Sequence, residues 1–204
     1  MKRLINITFL CALTVILVCS CSMSSKPFEK GKLESGNYIN TQADLVFLTP
    51  DGWDIWVGED AQEQVVGAAN EVTEGKADTS NSAAFDLAAM DPQSGSNINL
   101  SYTQLGKFSN IDMEIAKMIE SVEAEAESYG WEIEKQDEYD HEIADKDFIV
   151  VEIKISVDGI SINEYICIRK IDDYACMIVI VASPFGSEYN DFESIAGCFT
   201  SVDE

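Results

Sequence analysis

Residues 147–182 have the pattern of three consecutive β-strands separated by two short turns. Apolar side chains occupy every second position of the first segment, at Ile149, Val151, Ile153, Ile155 and Val157. Asp158-Gly159 follows as a favoured two-residue hairpin turn, because type I′ geometry requires positive φ. After a second turn at Asp172-Asp173, the segment YACMIVIVA is apolar on both faces, which is typical of a central strand covered on both sides. The pattern predicts an antiparallel meander.

Three segments with helical apolar spacing could cover this sheet, at residues 60–74, 110–129 and 188–199. The first begins with Asp60 and Glu63, as a capping box requires, and Ser109 with Asp112 gives the second a cap signal. The fold class predicted from these elements is α+β. We expect a single domain in which helices cover both faces of an antiparallel sheet, an α/β/α sandwich.

The chain opens with two cations and an apolar run, followed by the segment LVCSC at residues 17–21. This order is typical of a secretory signal, and its end resembles the bacterial lipobox. Cys21 is the better candidate for the modified cysteine, because Cys19 would leave the bulky Val18 at the cleavage site. The resemblance implies a diacylglyceryl thioether on Cys21, labelled by palmitate, and a chain anchored on the extracytoplasmic side of the cell membrane. The alternative is an uncleaved transmembrane anchor.

These features divide the chain into three parts. Residues 1–20 are a predicted lipoprotein signal peptide, and residues 43–204 are a predicted α+β domain. Residues 21–42 are predicted to be the lipidated cysteine followed by a flexible tether, because the segment SMSSKPFEKGKLESGNYIN is polar and has few apolar side chains.

The chain is strongly acidic, with a formal net charge of −24 at pH 7. Removal of the signal peptide would take away Lys2 and Arg3 and make the charge two units more negative. Such a surface repels phosphate backbones, so we expect no nucleic-acid partner. Cationic proteins, peptides and divalent ions remain possible partners, and charge that serves only solubility is the simplest interpretation.

No catalytic group stands out. The cysteines that follow the anchor are Cys167, Cys176 and Cys198, and we expect buried thiols, with a Cys167–Cys176 disulfide as the alternative. The single histidine, His141, lies in a charged segment and is expected to be solvated. We therefore predict a protein that is not an enzyme and needs no cofactor.

Two sets of residues are candidates for binding. The acidic segment 137–147 offers oxygen ligands for Ca²⁺ at Asp137, Asp140, Asp145 and Asp147, but it lacks the spacing of a calcium loop. A solvated connection between strands is the simpler interpretation, and no metal site is assigned. Trp53 and Trp56 should point to opposite faces of a strand. One should lie in the core, and the other, with Trp56 as the candidate, could line a groove with Tyr165. Core packing is the favoured interpretation for both.

The order of elements resembles the photosystem P-protein (PsbP-like) fold, found in small bacterial lipoproteins of unknown function. The resemblance covers about residues 43–200 and rests on LVFLTPDGWDIWVGED, FDLAAMD, NINLSY, the long helix, the meander and FESIAGCF. It implies that the corner at Pro50, Gly52 and Trp53 seals one end of the core. It also implies a binding or assembly module at a membrane, with a possible envelope protein partner. The alternative is a lipoprotein that binds a solute or Ca²⁺.

Overall fold

A computed structural model describes residues 28–72, 84–107, 109–157, 159–185 and 188–202. The predicted signal peptide and Cys21 lie outside the described residues. Within these ranges the chain forms three helices, α1 (Glu59–Val72), α2 (Ile111–Tyr129) and α3 (Phe192–Ala196). The strands are β1 (Lys32–Glu34), β2 (Asn37–Asn40), β3 (Leu45–Phe47), β4 (Asp54–Val57), β5 (Ala84–Met90), β6 (Asn97–Gln104), β7 (Glu132–Ile143), β8 (Lys146–Val157), β9 (Ile160–Ile171), β10 (Tyr174–Ala182) and β11 (Phe199–Thr200).

Seven strands form the main sheet, in the order β4-β5-β6-β10-β9-β8-β7, and all neighbours are antiparallel. The predicted meander is confirmed as β8, β9 and β10. Val157 pairs with Ile160 and Ile171 pairs with Tyr174, so both connections are two-residue turns. The doubly apolar strand β10 lies at the centre of the sheet, between β6 and β9, as its composition predicts.

Helices α1 and α2 cover one face of the main sheet. Ala61 and Val65 of α1 pack on Phe85 and Ala88. Ile115, Met118 and Val122 of α2 pack on the apolar stripe of the meander. The side chain of Asn110 caps α2 at its first turn, and Gly130 ends the helix in the left-handed conformation.

The α/β/α sandwich predicted from the sequence is wrong, because a second sheet covers the other face of the main sheet. This small sheet has the order β1-β2-β3-β11. Its buried side chains Tyr38, Leu45 and Phe47 share one core with Leu100 and Ile178 of the main sheet. The short helix α3 adds Phe192 and Ile195 to the same core. The protein is therefore mostly antiparallel sheet, with its two larger helices on one face only.

Two strands of the small sheet come from the segment interpreted as a flexible tether. Tyr38 of β2 is fully buried, and the ring of Phe28 stacks on that of Tyr102 with centroids 3.9 Å apart. The packed part of the chain therefore includes residues before 43. The polar composition of β1 and β2 hid these strands, because only a few of their side chains reach the core.

A buried carboxylate joins the small sheet to the main sheet. Asp86 Oδ2 accepts hydrogen bonds from Gly31 N and Tyr38 OH, both at 2.7 Å, and from Asn40 Nδ2 at 3.3 Å. The ladder between β5 and β6 is irregular between Phe85 and Leu87, which places Asp86 toward the small sheet. Asp86 is 2 % exposed, so these donors replace the water that Oδ2 would otherwise bind.

Two other segments differ from the prediction. The predicted helix over residues 188–199 is a helix only over Phe192–Ala196, because the chain then extends as β11 and pairs with β3. The acidic segment 137–147 is no loop: most of it belongs to β7, the long edge strand of the main sheet, and to the β7–β8 turn. Charged side chains on an edge strand oppose pairing with another chain, which accounts for this composition. None of the described helices is long and apolar enough to cross a bilayer.

Candidate functional site

A cluster of aromatic and acidic side chains lies on β7, β8, β9 and α3, on the face of the main sheet that carries the small sheet. We call it the tyrosine face. It consists of Tyr139, His141, Glu152, Tyr165, Phe192 and Glu193. The strand registers place these side chains together, because Glu152 pairs with Tyr165 and Tyr139 pairs with Val150, the neighbour of Glu152 on the same face.

Phe192 of α3 is the centre of the aromatic contacts. Its ring stacks on Tyr165, with centroids 4.7 Å apart, and meets His141 edge-on at 4.9 Å. His141 Nε2 lies 3.7 Å from Glu193 Oε2, and the Glu193 side chain is 76 % exposed. The tyrosine face therefore has a packed aromatic base and an accessible carboxylate at its rim.

The two tyrosines carry their protons at neutral pH. Burial, and then the charge of Glu152, raise the pKa of Tyr139 to about 12. The same two causes raise the pKa of Tyr165. Their hydroxyls are therefore neutral hydrogen-bond groups beside carboxylates. Phe192 and Tyr165 are buried, so a cation could reach this surface only at Tyr139, His141 and the two carboxylates. Ring electrostatics and ion pairing there would attract a lysine or arginine side chain.

A second feature is a depression of about 400 Å³ between the start of α2 and strands β7 to β9, called here the mixed-charge depression. Its floor contains Ile111, Ile149 and Ile168. Charged residues of both signs line it: Asp140, Asp145, Lys146, Asp147, Arg169 and Lys170. Lys146 also pairs with Asp44 at 2.8 Å, and this contact lowers the pKa of Asp44.

The mixed-charge depression brings together three of the four residues considered as Ca²⁺ ligands, Asp140, Asp145 and Asp147. Asp137 lies apart from them, because it is opposite Glu152 on the tyrosine face side of the sheet. Lys146, Arg169 and Lys170 line the same depression, but Lys146 is paired with Asp44 and Arg169 donates a hydrogen bond to Ala43 O. Within the part of the chain that the structure describes, no group of three histidine, cysteine or acidic side chains is placed to hold a metal ion.

The candidate groove between Trp56 and Tyr165 does not form, because the two side chains lie on opposite faces of the main sheet. Trp56 packs beside α1, whereas Tyr165 is 8 % exposed and packs in the core under α3. Trp53 is also buried, at 5.8 Å from the ring of Tyr189. The turn before it has Gly52 at φ +83°, and Trp53 N donates to Pro50 O. The resemblance correctly implied a packed corner here.

The described cysteines are free and buried. Cys167 and Cys176 lie on neighbouring strands, but their register partners are Ile178 and Arg169, and no disulfide joins them. Burial raises the pKa of Cys167, that of Cys176 to about 12 and that of Cys198 to about 11. Their thiols are thus protonated at neutral pH, and a protonated thiol is a poor nucleophile.

Most of the tyrosine face was not predicted from the sequence. Tyr139 lies in a segment with the composition of a charged connection. The sequence pattern places Phe192 in the apolar stripe of the last predicted helix and Glu152 on the polar side of its strand, so neither indicates a site. The alternation of Tyr139, His141 and Ile143 was a strand signal that could have placed these side chains on one face.

Comparisons with known proteins support the fold only. The solution structure of cyanobacterial PsbP (CyanoP) from Synechocystis sp. PCC 6803 is similar with a TM-score of 0.51 and 12 % identity, covering 89 % of this chain and 98 % of that one. A crystal structure from Bacteroides thetaiotaomicron has a TM-score of 0.43 and 10 % identity, covering 81 % of this chain and 47 % of that one, and supports no conclusion. No family model and no curated protein match the sequence. The chain has a PsbP-like fold.

Proposed function

We propose that this chain is a lipid-anchored, non-enzymatic binding module on the extracytoplasmic side of a cell membrane. The lipobox-like segment ending in Cys21 supports the anchor, and the PsbP-like fold is compatible with an accessory role. The protonated state of the buried thiols argues against cysteine chemistry.

The tyrosine face is the observation that carries the binding proposal. Its rings are held rigidly by the contacts of Phe192, and Glu152 and Glu193 add negative charge beside them. Rigid aromatic side chains beside charged groups are typical of the residues that dominate protein interfaces. We therefore propose an envelope protein partner that presents lysine or arginine to this surface.

Metabolic labelling tests the anchor. Cells that express the full chain are grown with labelled palmitate, and the chain is compared with Cys21→Ser. We expect label and membrane association for the unaltered chain, and neither for the variant. An unaltered chain without label, or one that stays in the cytosol, contradicts the proposal.

Crosslinking in intact cells tests the binding surface. The full chain is compared with the double variant Glu152→Gln/Glu193→Gln, and Glu188→Gln is the control because Glu188 is an exposed carboxylate outside the tyrosine face. We expect one protein to be enriched with the unaltered chain and the control, and to be lost with the double variant. Equal recovery from all three contradicts a role for the tyrosine face.

A further inference from the structure

We infer that the domain has a second binding site, which takes a small neutral molecule with a hydroxyl group on an aliphatic body. The site is a cavity of about 20 Å³ between helix α2 and the main sheet. Its lining residues are Thr103, Glu114, Met118, Ile168, Ala175 and Met177. The cavity lies on the helical face of the main sheet, whereas the tyrosine face lies on the other, so this site is separate from the proposed protein-binding surface.

The cavity lies over one end of a buried polar row on β6. Apolar side chains of β6 face the small sheet, and its buried polar side chains face the helices, at Asn97, Asn99, Ser101 and Thr103. Helix α1 packs chiefly on β4 and β5, and α2 chiefly on β7 and β9, so the row lies between the two helices. Thr103 pairs with Ala175, and Met177 pairs with Ile168. Three neighbouring strands therefore form the floor of the cavity.

Glu114 brings a carboxylate to the cavity from the first turn of α2. Glu114 is 6 % exposed. Its Oε1 accepts a hydrogen bond from Lys117 Nζ at 2.9 Å, whereas its Oε2 is buried and has no hydrogen-bond partner among the residues that the structure describes. A buried carboxylate oxygen without a donor is costly, so a ligand that donates a hydrogen bond to Oε2 is favoured.

The surroundings of Glu114 determine which donor fits. Lys117 and the positive N-terminal end of α2 already offset the charge of the carboxylate, so the donor needs no charge of its own. A hydroxyl group can donate to Glu114 Oε2 and accept from the hydroxyl of Thr103. A water would find only these two polar side chains, since the other four lining residues are apolar, and buried waters typically make about three hydrogen bonds. An alcohol uses the apolar lining as well.

The size of the cavity admits the hydroxyl end of such a molecule. A volume of about 20 Å³ holds one group of the size of a water molecule. Thr103, Glu114, Ala175 and Met177 are each 5–8 % exposed, so the cavity reaches the surface. The aliphatic body therefore lies at this opening, where methionine side chains adapt to ligands of different shape.

NMR of the methionine methyl groups in the full chain tests the site. The methyls are labelled with ¹³C, and the chain is titrated with 1-butanol or with methyl propyl ether, an isomer that has no donor. Met118 and Met177 line the cavity, whereas Met113 is exposed on the same helix and is the internal control. We expect saturable shifts at Met118 and Met177 only. The Kd for butanol should be on the order of 1 mM, since it has few atoms, and the ether should bind at least about tenfold more weakly.

Glu114→Gln tests the carboxylate, and Glu120→Gln, at an exposed position of α2, is the matched control. A glutamine amide can donate to the ether oxygen, so we expect the preference for butanol to fall below about threefold in Glu114→Gln and to stay unchanged in Glu120→Gln. Equal affinities of butanol and the ether for the unaltered chain overturn the inference, because the cavity would then be only apolar. No saturable shift with either ligand also overturns it, since water would then be the partner of Oε2. Tighter binding of n-butylammonium than of butanol overturns the neutral ligand.

Discussion

The hydroxyl of Tyr38 in β2 donates a 2.7 Å hydrogen bond to Oδ2 of Asp86 in β5, across the interface between the two sheets. The same hydroxyl lies 3.1 Å from that of Tyr102. We expect Tyr38→Phe to lower the free energy of unfolding by about 1–3 kcal/mol, because it leaves a buried carboxylate with one donor fewer. Urea unfolding followed by tryptophan fluorescence measures the loss.

Tyr189→Phe is the control for this change, since the ring of Tyr189 packs against Trp53 in the same core. We expect it to change the free energy of unfolding by less than about 0.5 kcal/mol. Equal losses for the two variants would show that the Tyr38–Asp86 contact has no special role.

Replacing each of two glycines with alanine should change the free energy of unfolding in opposite directions. A Cβ atom on Gly31 would overlap the ring of Tyr38, whereas one on Gly67 of α1 would meet nothing within 4 Å. Gly31→Ala must displace the segment that donates to Asp86, and we expect it to cost about 1–3 kcal/mol. Gly67→Ala should stabilise the protein by about 0.5–1 kcal/mol, because alanine favours helix over glycine. Urea unfolding of both variants measures these changes in the free energy of unfolding. A Gly31→Ala protein as stable as the unaltered one would contradict this packing.

Stability should fall at alkaline pH. The ordinary thiol pKa is 9.0, and burial raises that of Cys176 to about 12 and that of Cys198 to about 11. The folded protein therefore holds thiol protons that the unfolded chain releases, so this contribution is complete below about pH 8 and is lost as pH rises from 9 toward 12. Each such proton steepens the loss by up to about 1.4 kcal/mol per pH unit. The midpoint of urea unfolding at pH 7, 9 and 10 measures this loss of stability.

Replacing Cys167, Cys176 and Cys198 together with alanine provides the comparison. Cavities should lower the stability of this variant at pH 7, but its decline with pH should be shallower. A decline of the same slope in both proteins would assign the alkaline loss to other groups, such as the buried tyrosines.

Calcium should have little effect on stability. No group of three described carboxylates is placed to hold a metal ion, and Lys170 lines the same depression as Asp140, Asp145 and Asp147, which weakens its attraction for a divalent ion. We expect the melting temperature to change by less than about 1 °C between 5 mM Ca²⁺ and 5 mM EDTA; a bound ligand at about 100 times its Kd would add about 2.7 kcal/mol and several degrees. A shift of several degrees would require an ion site.

The sequence predicted the centre of the main sheet well. Strands β8 and β9 have period-two apolar patterns, β10 is apolar on both faces, and the turns between them have strong preferences, so local signals and packing agree there. Helix α2 was predicted for the same reason, with a clear apolar stripe and Gly130 at its end. These elements also support the resemblance to the PsbP-like fold, which the structure comparison confirmed.

The small sheet could not be predicted, because its stability comes from partners far away in the sequence. Strand β1 is polar and exposed, and β2 is held by Tyr38, whose partner Asp86 lies 48 residues further on. The irregular register beside Asp86 has no local signal either, although it places Phe85 and Leu87, two residues apart, in different core clusters. The tyrosine face was missed for a related reason, since charged edge-strand side chains resemble those of a loop.

The pairing of β11 with β3 bears on the proposed export of the chain. Phe199 pairs with Phe47, so the small sheet needs residues from both ends of the domain. A chain that emerges N-terminus first on the far side of a membrane exposes β1 to β3 long before β11 arrives, and contacts of such separation form slowly. If Cys21 is lipidated as proposed, the residues next to it would be open during that interval to the enzymes that carry out the modification. Closure of the small sheet would then follow modification rather than precede it.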